Sequence, residues 1–161
     1  MPHVTIEHMI MIPLLILQIF LFPLEASIIM NVWVNSRRTL ALQDVASHLG
    51  SAVQQLYFSL NHPTIPVNTN LTDSPGLPPF IDNHGYEGKA TLKAALGAIL
   101  NSSQVLEITL TLATTGTTAD SSVVLGSNVV WQDSTFKSNS TNACISARKL
   151  PNQTVSLQFG G

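Results

Sequence analysis

The chain has 161 residues, enough for one domain plus an extension. Charged residues make up 10% of it and the net charge is −2. That charge density falls well below the ~25% of a usual soluble domain and leaves no basic surface for nucleic acid. A single cysteine, Cys144, excludes an internal disulfide. It reads as a small buried apolar residue, with an intersubunit disulfide or a reactive thiol as the alternatives.

Mean hydropathy is +0.27, and the excess is concentrated before residue 61, where the only charges are Glu7, Glu25, Arg37, Arg38 and Asp44. Residues 9–34, "MIMIPLLILQIFLFPLEASIIMNVWV", are apolar nearly all round. A helix of that kind must be surrounded on every side, whereas an amphipathic helix needs only one partner surface. The segment is too long for the apolar part of a secretory signal, and nothing basic precedes it. Arg37 and Arg38 follow it, so a plain membrane anchor would place the rest of the chain in the cytoplasm.

Pro13 and Pro23 lie inside this run. Each removes a backbone donor and frees the carbonyl four residues earlier, at Met9 and Ile19, which tends to kink or locally melt a helix. Glu25 is a carboxylate amid apolar residues, costly unless paired or neutralised. Arg37 and Arg38 stand 12 and 13 positions further on, about 18 Å along the same helix. Within one subunit they cannot reach Glu25; an axially shifted neighbouring copy could supply them. Snorkelling, protonation, or contact with Gln18 or Asn31 are the alternatives for Glu25.

Residues 35–61 continue the helix with a different pattern. Leu42, Val45, Leu49, Val53, Leu56 and Leu60 recur at spacings of three and four, the stripe of an amphipathic helix. Pro63 supplies the stop. The spacing predicts one helix over residues 1–61, beginning near residue 5 and about 85 Å long. Its second half should pack on a domain built by the remaining residues. Residues 62–82 hold five of the nine prolines and read as a linker or covering loop.

Residues 83–161 read as a small antiparallel β head, sandwich-like. Stretch 105–115 alternates cleanly, with Leu106, Ile108, Leu110 and Leu112 on one face. Stretch 121–131 follows after a hairpin-length spacer and reads as the next strand. Residues 86–92, 143–148 and 153–159 are further strands, and 93–100 is ambiguous between helix and strand. The fold class is therefore α+β: a long N-terminal helix with an antiparallel β head.

Four Asn-x-Ser/Thr sequons, at Asn70, Asn101, Asn139 and Asn152, all fall in the polar half. Together they favour an external, glycosylated surface. This opposes the cytoplasmic placement drawn from Arg37 and Arg38. The conflict resolves if a short basic leader preceded residue 1 and was removed.

The search for chemistry is mostly negative: no phosphate-binding Gly-rich loop, no nucleophile elbow, no zinc signature. Asp82, His84 and Glu87 lie close in sequence and could hold a metal, although a solvated turn is the ordinary meaning. His48 reads as a surface or interface residue. No enzyme and no cofactor beyond N-linked glycans is expected.

The stretch "VTIEHMIMIPLLILQIFLFPLEASIIM", its amphipathic continuation and the β head resemble the type IV pilin superfamily, and the sequons resemble its archaeal branch. Bacterial members typically carry a glutamate five residues into the mature chain; Glu7 holds that place only if the mature chain begins at His3. The resemblance implies a subunit of an extracellular pilus or adhesion filament, inserted in a membrane before assembly and then polymerised with copies of itself. Ile12, Pro13, Leu17, Phe20, Pro23, Leu24, Ile28 and Trp33 would then pack in the filament core, with heads outside meeting surfaces or other cells. An archaellin of a motility filament and a monomeric membrane-anchored binding protein are the alternatives, with a secretion pseudopilin less favoured.

Overall fold

A computed structural model describes residues 3–94 and 103–160. The elements in chain order are helix α1 (His3–Asn61) and strands β1 (Asn70–Asp73), β2 (Tyr86–Ala94), β3 (Gln104–Leu112), β4 (Thr118–Leu125), β5 (Val129–Trp131), β6 (Thr135–Lys137), β7 (Cys144–Lys149) and β8 (Val155–Gly160). The fold is α+β, with one long N-terminal helix and a head of two four-stranded sheets. The chain divides into two compact units, Met1–Arg37 and Arg38–Gly161.

In the first unit α1 remains α-helical through both Pro13 and Pro23. The missing proline donors therefore do not end the helix, although the carbonyls of Met9 and Ile19 keep no i+4 partner.

The second unit carries the core. Leu42, Val45, Leu49, Val53, Leu56 and Leu60 are all buried, joined by Ala46, Ala52 and Tyr57 on the same stripe. They share one apolar cluster with the inward residues of both sheets, among them Leu106, Ile108, Leu110, Ile145, Val155 and Leu157. Gly50 lets the helix approach β4 closely, since a Cβ there would come 2.6 Å from Val123 Cγ2. Gly88 serves the same end in β2. It pairs with Leu110 on one side and Phe136 on the other. A Cβ at Gly88 would lie 2.7 Å from Leu110 Cδ2.

The sheet orders are β1-β7-β8-β5 and β4-β3-β2-β6. All neighbours are antiparallel except β5 and β8, which run parallel, so the head is not purely antiparallel.

Two sequence expectations need correction. Residues 62–82 are not loop throughout: they contain β1, which pairs with β7 from Asn70↔Arg148 to Asp73↔Ile145. Stretch 121–131 is not one strand. β4 ends at Leu125, and β5 begins at Val129 in the other sheet. The corner between them is held by Asn128. Its Oδ1 accepts from Tyr57 Oη (2.6 Å), its Nδ2 donates to Asn61 Oδ1 (2.6 Å), and its carbonyl accepts from Val155 N (2.8 Å). β6 is a further short strand that no sequence pattern announced. Of the ambiguous stretch 93–100, Lys93 and Ala94 close β2, and the remainder lies outside the described residues.

Just beyond the helix, the buried Lys149 donates from Nζ to the carbonyls of His62 and Ile65, each at 3.0 Å. This ties β7 to the turn that follows α1, with the charge satisfied by backbone dipoles.

Candidate functional site: an uncovered apolar helix surface

Every large apolar side chain from Met9 to Trp33 is exposed, from 45% at Leu21 to 79% at Met9. Ile12, Leu17, Phe20, Leu24, Ile28 and Trp33 belong to this set, and the two prolines are exposed beside them. The helix bearing them is long and apolar enough to cross a membrane. Around Pro23, a shallow apolar recess is lined by Leu15, Gln18, Ile19, Phe22 and Pro23.

The charged groups at the end of this surface are arranged differently from each other. The Arg37 guanidinium lies 5.8 Å from the centre of the Trp33 ring, one helical turn away, a cation–π contact at i,i+4. Arg38 is engaged within its own chain: Nε donates to Asp82 Oδ2 at 2.6 Å. An Arg38 contact with Glu25 of another copy would have to share or break this pair. Glu25 is exposed in the single chain, and Arg37, exposed 12 residues further along the helix, remains a candidate for contact with Glu25 of another copy.

Asp82, His84 and Glu87 do not converge. Asp82 and Asn83 have φ of 50° and 63° and form the tight turn between Ile81 and His84, whose backbones exchange two 2.9 Å hydrogen bonds. Asp82 is taken by Arg38, and Glu87 lies 4.0 Å from Lys137. Among the described residues no three His, Cys, Asp or Glu side chains gather to hold a metal. His48 is exposed, and Cys144 is a free, partly buried thiol.

Of the sequon asparagines, Asn70 lies on the edge strand β1, Asn139 just after β6, and Asn152 in the turn joining β7 to β8. All three are exposed. Asn152 Oδ1 accepts from Thr154 N at 3.2 Å. Asn101 lies outside the described residues.

Sequence reasoning missed two polar positions that hold the head together, Asn128 and Lys149. Lys149 carried a signal: it continues the inward series Ile145, Ala147. Tyr86 is a further polar group, buried in the head. Its hydroxyl donates to Pro78 O at 2.8 Å, and burial pushes its pKa up to about 12.

No protein-family model, no curated protein and no solved structure matches this chain.

Proposed function

We propose that the protein is the structural subunit, a pilin, of an extracellular archaeal type IV-like pilus or adhesion filament. It polymerises through residues 9–34, its heads outside carrying N-linked glycans. The observation that carries this reading is the unbroken exposure of large apolar side chains from Met9 to Trp33. Soluble monomers do not leave such a surface uncovered. Copies of the same helix would cover it on every side. At about 25 cal/mol per Å² over more than ~1,000 Å², the association term is on the order of tens of kcal/mol before entropic costs. The bilayer is then the environment before assembly, and the sequence resemblance to pilins points to the same route.

Electron microscopy of cell-surface material tests the reading. Filaments whose mass per length is a multiple of this chain are expected; detergent-dependent monomers alone would refute it. The same span is long enough to anchor a monomeric binding protein, and that second reading gains from the latter result. A motility filament would be separated by loss of swimming, rather than of attachment, on gene deletion.

A further inference from the structure

The outward face of the first sheet carries a polar trough of about 260 Å³. Asn70, Gln132, Ser146, Arg148, Ser156 and Gln158 line it. The register explains the convergence. Asn70 stands opposite Arg148, and Arg148 opposite Ser156; Ser146 stands opposite Gln158. From Asn70 on the edge to Ser156 is two strand spacings, about 10 Å. Ser156 faces outward yet is only 7% exposed, so it forms the floor of a true recess.

Among the described residues, the side chains of Asn70, Gln132, Ser146, Ser156 and Gln158 make no hydrogen bond within the chain. Arg148 makes one long contact, to Asn68 Oδ1 at 3.5 Å. Amides, hydroxyls and a guanidinium thus meet in one recess with their hydrogen-bonding capacity unspent. This set matches the hydroxyls, ring oxygen and acidic substituents of a saccharide. The trough has no aromatic platform, so a free sugar would gain little there. A tethered sugar is a different case, because a short tether holds it at an effective concentration in the millimolar range. Asn70, a sequon residue, is itself part of the wall.

We propose that the trough is the docking site of the glycan attached to Asn70. Its proximal sugars lie across β7 and β8, bonded to Gln132, Gln158, Ser146 and Ser156, with Arg148 on an acidic or hydroxyl group. The glycan then covers the outward face of a sheet whose edge strand is only four residues long. The inference rests on the reading that the sequons are glycosylated.

Mild periodate oxidation of vicinal diols, followed at the Asn70 glycopeptide by mass spectrometry, tests it on the native protein. Docking should slow oxidation in the folded protein about fivefold relative to the denatured protein, for a docked-to-free ratio of about four to one. The double variant Gln132→Ala/Gln158→Ala should bring the folded rate to the denatured one. Calorimetry of the same variant checks that the head remains folded. An unmodified Asn70 would overturn the glycosylation reading at this site and the docking with it. A modified Asn70 that oxidises equally fast folded and denatured, or whose protection survives in the double variant, would overturn the docking alone.

Discussion

Phe20 offers the sharpest test of assembly through the helix. Its side chain is 74% exposed in the single chain, and it lies in the first unit, apart from the head's apolar cluster. A Phe side chain presents roughly 200 Å² of apolar surface, of which about 150 Å² would be newly covered by neighbouring helices. At about 25 cal/mol per Å², truncation to alanine removes about 3 kcal/mol of association free energy per subunit. Since about 1.4 kcal/mol is tenfold in an equilibrium constant, Phe20→Ala should raise the critical concentration for polymerisation about a hundredfold. Pelleting filaments from a dilution series and measuring the unpolymerised subunit gives that number directly. Calorimetric unfolding of the head should not move. The counterpart Leu49→Ala, at a fully buried position, should lower head stability by about 2–5 kcal/mol. An unchanged critical concentration in Phe20→Ala would refute burial of this helix face on assembly. So would a loss of head stability equal to that of Leu49→Ala.

The remaining predictions concern the head. Asn128→Ala removes all three side-chain hydrogen bonds at the corner where the chain changes sheets, to Tyr57, Asn61 and the Gln153 carbonyl, and should cost about 2–3 kcal/mol in chemical denaturation. Gly88→Ala forces a methyl group to within 2.7 Å of Leu110 Cδ2 and should destabilise by about 1–3 kcal/mol, read as a lower midpoint in thermal unfolding. Tyr86 has a folded pKa raised from 10.0 to about 12 by burial. Its neutral form is the one the fold accepts. The native state therefore holds its proton after the unfolded chain has lost it, and stability should fall as pH rises from 10 towards 12. Tyr86→Phe should flatten that decline; an unchanged slope in an alkaline denaturation series would count against it.

Local periodicity made much of this fold legible, and non-local pairing made the rest illegible. The stripe from Leu42 to Leu60 and the alternation from Leu106 to Leu112 each express a face turned to one core, so residue spacing alone announces them. β1 gives no such signal, because three of its four residues are exposed and an edge strand has no inward series to betray it. The run "VVLGSNVVW" is apolar on both sides of its turn. Nothing in its spacing says that Leu125 and Val129 serve different sheets; that is decided by Tyr57, Asn61 and Val155, all distant in sequence. Gly-Ser-Asn, a turn signal, is the one local mark of the break between the two strands. The polar trough is hidden for the same reason, since its walls come from separate strands that only the sheet register brings together.

The difference between the two units is one of unmet requirements. From Leu42 onward the apolar stripe is satisfied by the chain's own sheets. From Met9 to Trp33 the apolar surface is not, and its polar groups help to distinguish what should cover it. Pro13 and Pro23 free the carbonyls of Met9 and Ile19, and Glu25 lies six residues beyond Ile19. Pure hydrocarbon offers none of these three groups a partner, and each unsatisfied group there costs several kcal/mol. Neighbouring protein helices supply donors and shaped recesses, such as the hollow around Pro23. Gln18 lines that hollow and places an amide beside Pro23. A bilayer therefore satisfies the leucines, isoleucines and phenylalanines of this segment but leaves its carbonyls and carboxylate wanting. On the proposed reading, a sheath of copies would offer partners to both, so polymerisation fits more of the segment's chemistry than anchoring does.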